Sequence, residues 1–67
     1  MNNLKEIRFF NNVSQALLAL ETGIQQARIS LIENSLVVPR PDEKQKIAKA
    51  LRVSIEDIFP EVGNAAQ

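Results

Sequence analysis

The chain has 67 residues, enough for one small domain, and contains no cysteine and no histidine. That composition excludes disulfides, thiolate or imidazole metal sites, a cysteine nucleophile and a base titrating near neutrality. Eight Lys and Arg balance eight Asp and Glu, so there is none of the basic excess usual in a nucleic-acid binder.

The longest unbroken apolar run, from Ala16 to Leu20, is far short of the ~20 residues of a membrane span. No basic stretch followed by an apolar one opens the chain. The expectation is a soluble protein of the reducing cytoplasm with no membrane partner.

Breakers divide the chain into five short segments. The first helix is expected over residues 3–10, with Leu4, Ile7 and Arg8 on one face, ending near Asn11-Asn12 because asparagine tolerates the left-handed conformation that ends helices. Ser14 suits an N-cap for a second helix over 15–21, in which Leu18 and Ala19 face inward. Thr22-Gly23-Ile24 makes a tight corner, Gly23 being free to adopt positive φ. A third helix over 25–33 places Ile29 and Ile32 on one face.

Residues 35–41 read as a loop, since each proline disfavours the α region in the residue before it. Asp42 is then the expected cap of a fourth helix over 43–51, with Ile47, Ala48 and Leu51 buried. Ser54 caps a short fifth helix in which Ile55, Ile58 and Phe59 repeat at helical spacing, and Pro60 stops it. Nothing alternates with the period of two that a strand needs. The fold class is all-α, a compact bundle of five short helices over residues 1–61, with residues 62–67 as a flexible tail.

Two helices joined by a three-residue corner containing glycine form a helix-turn-helix when they cross steeply. Residues 15–34 have this form, with small Ala19 allowing close approach and Ile24 and Ile29 locking the crossing from inside. The start of the second helix then projects Gln25, Gln26, Ala27 and Arg28 outward. In a major groove, glutamine bonds adenine as a bidentate pair, arginine reaches guanine, and Leu31 can press on a thymine methyl.

The run Ser14-Gln15-Ala16-Leu17-Leu18-Ala19-Leu20-Glu21-Thr22-Gly23-Ile24, followed by Ile29-Ser30-Leu31-Ile32-Glu33-Asn34, resembles the phage Cro and repressor helix-turn-helix family, also called XRE, whose fold is lambda-repressor-like. The stretch from Ile47 to Phe59 looks like that family's fourth and fifth helices, so the resemblance covers about residues 4–60. It implies that Gln15 bonds a DNA phosphate and braces the recognition helix, that Gln26 reads bases, and that Asn34 and Arg40 touch the backbone. It also implies a structural ion pair between Arg8 and Glu33. Double-stranded DNA is the implied partner, with no cofactor and no metal. By the same analogy, a homodimer is expected to act as a repressor, with its contact around the fifth helix, Phe59 and Pro60.

The departures from the family are informative. Leu31 stands where relatives often carry a polar base reader. Ser35 and Arg52 replace glycines that commonly relieve left-handed strain at helix ends. Lys44 takes a normally apolar or small position, where its stem can cover the core while its ammonium reaches outward. Phe9, Leu17, Leu20, Leu36, Val37 and Val38 are apolar where the family is usually polar. A contiguous exposed apolar patch often marks an interaction surface. The alternative to a DNA-binding regulator is therefore a protein-interaction module on the same fold, an antitoxin or accessory subunit.

The acidic pairs Asp42-Glu43 and Glu56-Asp57 lie at helix starts, where the helix dipole stabilises them, and are not catalytic candidates. Lys44, Lys46 and Lys49 read as a solvated helix face. With no nucleophile–base set and no phosphate-cradling loop, the chain is not expected to be an enzyme.

Overall fold

The computed structural model describes residues 2–60. It contains five helices: α1 (Leu4–Phe10), α2 (Gln15–Thr22), α3 (Gln26–Glu33), α4 (Pro41–Leu51) and α5 (Ile55–Ile58). There is no strand among the described residues, and no described helix is long and apolar enough to cross a membrane. The tail expected at residues 62–67 lies outside the described residues.

Polar side chains set the helix ends. Asn2 accepts from the Leu4 amide at 3.0 Å and donates to the Ile32 carbonyl at 2.8 Å, tying the start of α1 to α3. The Asn3 amide donates to the Ile58 carbonyl at 2.8 Å and joins the same segment to α5. Beyond α1 the left-handed residue is Asn12, with φ of 57°. The Ser14 hydroxyl accepts from the Leu17 amide at 3.0 Å and caps α2.

At the corner, Gly23 adopts φ of 76°. A Cβ there would meet nothing within 4 Å, so glycine is needed for its backbone angle and not for close approach. The Thr22 hydroxyl donates to the Leu18 carbonyl at 2.7 Å and accepts from the Ile24 amide at 3.2 Å, so these two buried polar groups both have partners.

The fourth helix begins two residues earlier than expected, at Pro41, and its N-cap is Arg40 instead of Asp42. A proline excludes the residue before it from the helix but itself suits the first helical position, where no amide donor is needed. Arg40 accordingly is extended (φ −73°, ψ 160°). Asp42 falls in the first turn, with its carboxylate 3.9 Å from the Lys46 ammonium. The third helix starts one residue later than expected because Gln25 is its extended N-cap.

The core consists of the residues whose spacing marked them as inward. Leu4, Leu18, Ile29, Ile32, Ile47 and Ile58 are fully buried, joined by Ile24, Ala48, Leu51 and Phe59. Helix α2 packs against both α3 and α4, and α4 packs against α5. Lys44 covers this core at its edge, its ammonium 5.7 Å from the centre of the Phe59 ring.

Ser35 and Arg52 hold the strained positions, with φ of 61° and 60°. A left-handed non-glycine residue costs roughly 1–2 kcal/mol, against ~0.5–1 kcal/mol for the extra freedom glycine loses on folding. Arg52→Gly and Ser35→Gly are each expected to stabilise the fold by about 0.5–1 kcal/mol. Urea unfolding checks this: the midpoint should rise with the slope unchanged, and a lower midpoint would contradict the strain.

Candidate nucleic-acid interface

The corner at Gly23 turns the first residues of α3 away from the core. Gln25, Gln26 and Ala27 are exposed there, and Leu31, one turn later, is 40% exposed. This end of α3 carries backbone amides with no intrahelical partner and the positive end of the helix dipole. It is the part of a helix-turn-helix that meets base edges.

Behind it, Glu33 joins three helices. Its carboxylate accepts from Arg8 Nη2 at 2.8 Å and Nε at 3.2 Å, and from Gln15 Nε2 at 3.0 Å. Arg8 Nη1 also donates to the Val13 carbonyl at 2.9 Å. Burial alone would raise the Glu33 pKa, but hydrogen bonds from Arg8 and Gln15 and the charges of Arg8 and Lys5 outweigh it, leaving the carboxyl below its ordinary value. Gln15 places one amide hydrogen on Glu33 and keeps a second, since a side-chain amide has two.

Arg28 is not a loose surface cation. Its Nε donates to Glu43 Oε2 at 2.6 Å and its Nη2 to Glu43 Oε1 at 2.9 Å, linking the first turn of α3 to that of α4. Glu43 is buried and also accepts from the Arg40 amide at 2.9 Å. The Arg28 guanidinium, reinforced by the Arg40 amide, holds the Glu43 carboxyl down at about 2, and the same contact raises Arg28. Asn34 donates to the Ser30 carbonyl at 2.8 Å on the exposed end of α3, and Arg40 is exposed at the start of α4.

Glu33 and Glu43 together predict the acid limb of stability. Both carboxyls lie below their ordinary range when folded, so the unfolded chain takes up protons first as pH falls. Stability present above the unfolded value is therefore lost on the way down to the folded one. The melting temperature should be level above about pH 5 and fall steadily from there towards pH 2. Thermal melts across this range check it, and the Glu43→Gln variant should show a shallower decline.

The part played by Glu43 is not apparent from its place at a helix start, because its partner lies 15 residues away on another helix. Its position three residues after the N-cap marks the backbone contact alone. Among the apolar residues, Phe9 is 79% and Leu20 80% exposed, and Leu17, Leu36 and Val38 are exposed too. Val37 instead is half-buried and packs on the core. Phe10, not anticipated in this set, is as exposed as Phe9. Phe59 is buried in the chain's own core, so the exposed residues of the segment expected to carry a dimer contact are Glu56 and Asp57 of α5, and Pro60.

No curated protein matches the chain. The helix-turn-helix family model matches residues 4–58, a span that runs from the first residue of α1 to the last of α5. The chain thus belongs to the XRE-type helix-turn-helix family, the DNA-binding regulators of the Cro and repressor kind.

Proposed function

We propose that this protein is a sequence-specific repressor that binds a palindromic operator in double-stranded DNA as a homodimer in the cytoplasm. The observation that carries the proposal is the exposed start of α3, with Gln25, Gln26 and Ala27 outward, set on a helix pair that Glu33 braces from behind. In this role Gln25, Gln26, Ala27, Arg28 and Leu31 face base edges. Gln15, through its second amide hydrogen, together with Asn34 and Arg40, bonds phosphates. Dimerisation is required because one recognition helix spans only a few base pairs, and a two-fold dimer places two such helices about 34–36 Å apart.

Selection from random duplexes, followed by sequencing, tests the proposal. The expected product is a palindrome with half-sites one helical turn apart. Binding to it should weaken with Gln26→Ala and vanish when half a turn is inserted between half-sites. Few cations face this surface, so log K should fall with log salt with a shallow slope of roughly −2 to −4 per monomer. Equal affinity for all duplexes would overturn sequence-specific binding, and a much steeper slope would show a basic face elsewhere.

A second function, as a protein-interaction module, is favoured by exposed Phe9, Phe10, Leu17, Leu20, Leu36 and Val38 on a chain of zero net charge. Isolation of a stable hetero-complex without duplex affinity would decide for it.

A further inference from the structure

An arginine side chain offers two bidentate edges: the side edge made of Nε and one Nη, and the end edge made of the two Nη groups. In Arg28 the side edge is occupied, because Nε and Nη2 both donate to Glu43. Both of its hydrogen bonds to the described residues lie on that edge, so the end edge is left open. The side chain remains 31% exposed, while that of Glu43 is only 8% exposed. Glu43 is itself fixed, since the Arg40 amide holds the same carboxylate from the backbone of the α4 start. Arg28 is thus clamped from within and open on the outside, two residues after Gln26 on the first turn of α3.

Holding one edge of a guanidinium removes most of the rotamer freedom that a long side chain otherwise loses on binding. The acceptor that suits the open edge is a pair of oxygen or nitrogen lone pairs side by side. Guanine O6 and N7 in the major groove form such a pair, and so do two phosphate oxygens. Charge decides between them. Arg28 and Glu43 together are neutral, so the pair gains little from the phosphate backbone, whereas a base edge needs aligned donors and no net charge.

Building on the DNA-binding function proposed above, we propose that Glu43 is a positioning residue for base recognition. It holds Arg28 side-on so that the free end edge meets a guanine, and its negative charge keeps the start of α3 from gripping phosphates indiscriminately. Glu43 therefore lowers affinity for unrelated DNA while raising discrimination at one base pair of each half-site.

The test uses the full chain and the operator recovered by selection. Wild type, Arg28→Ala, Arg28→Lys and Glu43→Gln are titrated against that duplex, against duplexes with each guanine replaced, and against an unrelated duplex at several salt concentrations. One guanine per half-site should matter about tenfold to wild type and not at all to Arg28→Ala. Arg28→Lys keeps the charge and leaves Glu43 covered but lacks the fork, and should lose the same discrimination. Glu43→Gln should bind the unrelated duplex more tightly, with a salt slope steeper by about 0.9 per monomer, and lose severalfold in discrimination at that guanine.

A merely destabilised variant would lose affinity for every duplex, which is opposite in sign to the gain expected. Should Glu43→Gln fail to fold, Arg28→Lys against Arg28→Ala still decides whether the fork reads the base. An operator whose guanines are indifferent to Arg28, or unaltered discrimination and unaltered unrelated binding in Glu43→Gln, would overturn the positioning role alone. Failure of wild type to prefer any duplex would overturn the DNA-binding function itself, and the positioning role with it.

Discussion

Replacing Glu33 by alanine is expected to remove about 3–5 kcal/mol of folding free energy. The reason is not the attraction lost but the groups left behind. Glu33 is buried, and its side chain is 2% exposed against 14% for Arg8. Without the carboxylate, Arg8 retains a largely buried charge whose remaining hydrogen bond among the described residues is to the Val13 carbonyl, and Gln15 loses its acceptor. A chain of 67 residues has a total stability of only about 3–10 kcal/mol on the usual per-residue scale, so this single change takes most of it.

Two companion variants isolate the cause. Arg8→Met combined with Glu33→Met removes both charges and keeps the volume, and should recover most of the loss, since an apolar pair of similar size is often as stable as a buried ion pair. Glu33→Gln should fall between, because the amide keeps an acceptor but no charge. Urea unfolding of the four proteins is the measurement. A double variant as unstable as Glu33→Ala would show that the loss comes from the missing hydrogen bonds instead of the stranded Arg8 charge.

The second large effect separates two leucines on one helix. Leu18 is 0% exposed and Leu20 is 80% exposed, although both sit in the same apolar run of α2. Leu18→Ala should cost about 3 kcal/mol, the transfer of the lost methyl groups plus the cavity left among packed neighbours. Leu20→Ala should change stability by no more than about 0.5 kcal/mol, as surface substitutions usually do. The same Leu20 variant carries a functional readout. An unchanged fold with a lost protein complex or a lost dimer would place that contact on the outer face of α2, and unchanged association would remove Leu20 from it.

Most of the fold is legible along the chain because it follows from local rules. The spacing of Leu18, Ile29, Ile32, Ile47, Leu51 and Ile58 places each on the inner face of its helix, and all are buried. Ser14 and Ser54 act as caps because a hydroxyl next to a helix start reaches an orphan amide whatever else surrounds it. Gly23 turns the chain through a backbone angle that only its own residue type decides. The family resemblance rests on the same residues, and the match over residues 4–58 agrees with it. Pro41 starts α4 instead of preceding it, since its missing amide costs nothing at the first helical position.

The start of α3 is less legible, because its electrostatics depend on partners distant in sequence. Arg28 has no acid within one helical turn that would reveal a partner, and Glu43 has a sufficient local role as a helix-start carboxylate. Neither suggests the other. The exposure of Phe9, Phe10 and Val38, against the half-burial of Val37, similarly depends on how a loop and a helix end lie over the core.

The amino-acid sequence by itself thus determined the five helices, the corner at Gly23, the buried face of each helix and the outward start of α3, since periodicity, capping and positive φ act within a few residues. Only the tertiary structure decided how the charges are shared. Beyond the Arg8–Glu33 pair that the resemblance implies, it placed Gln15 on Glu33 and Arg28 on Glu43, because ion pairing and hydrogen bonding act through space at about 3 Å and are indifferent to the number of residues between the partners.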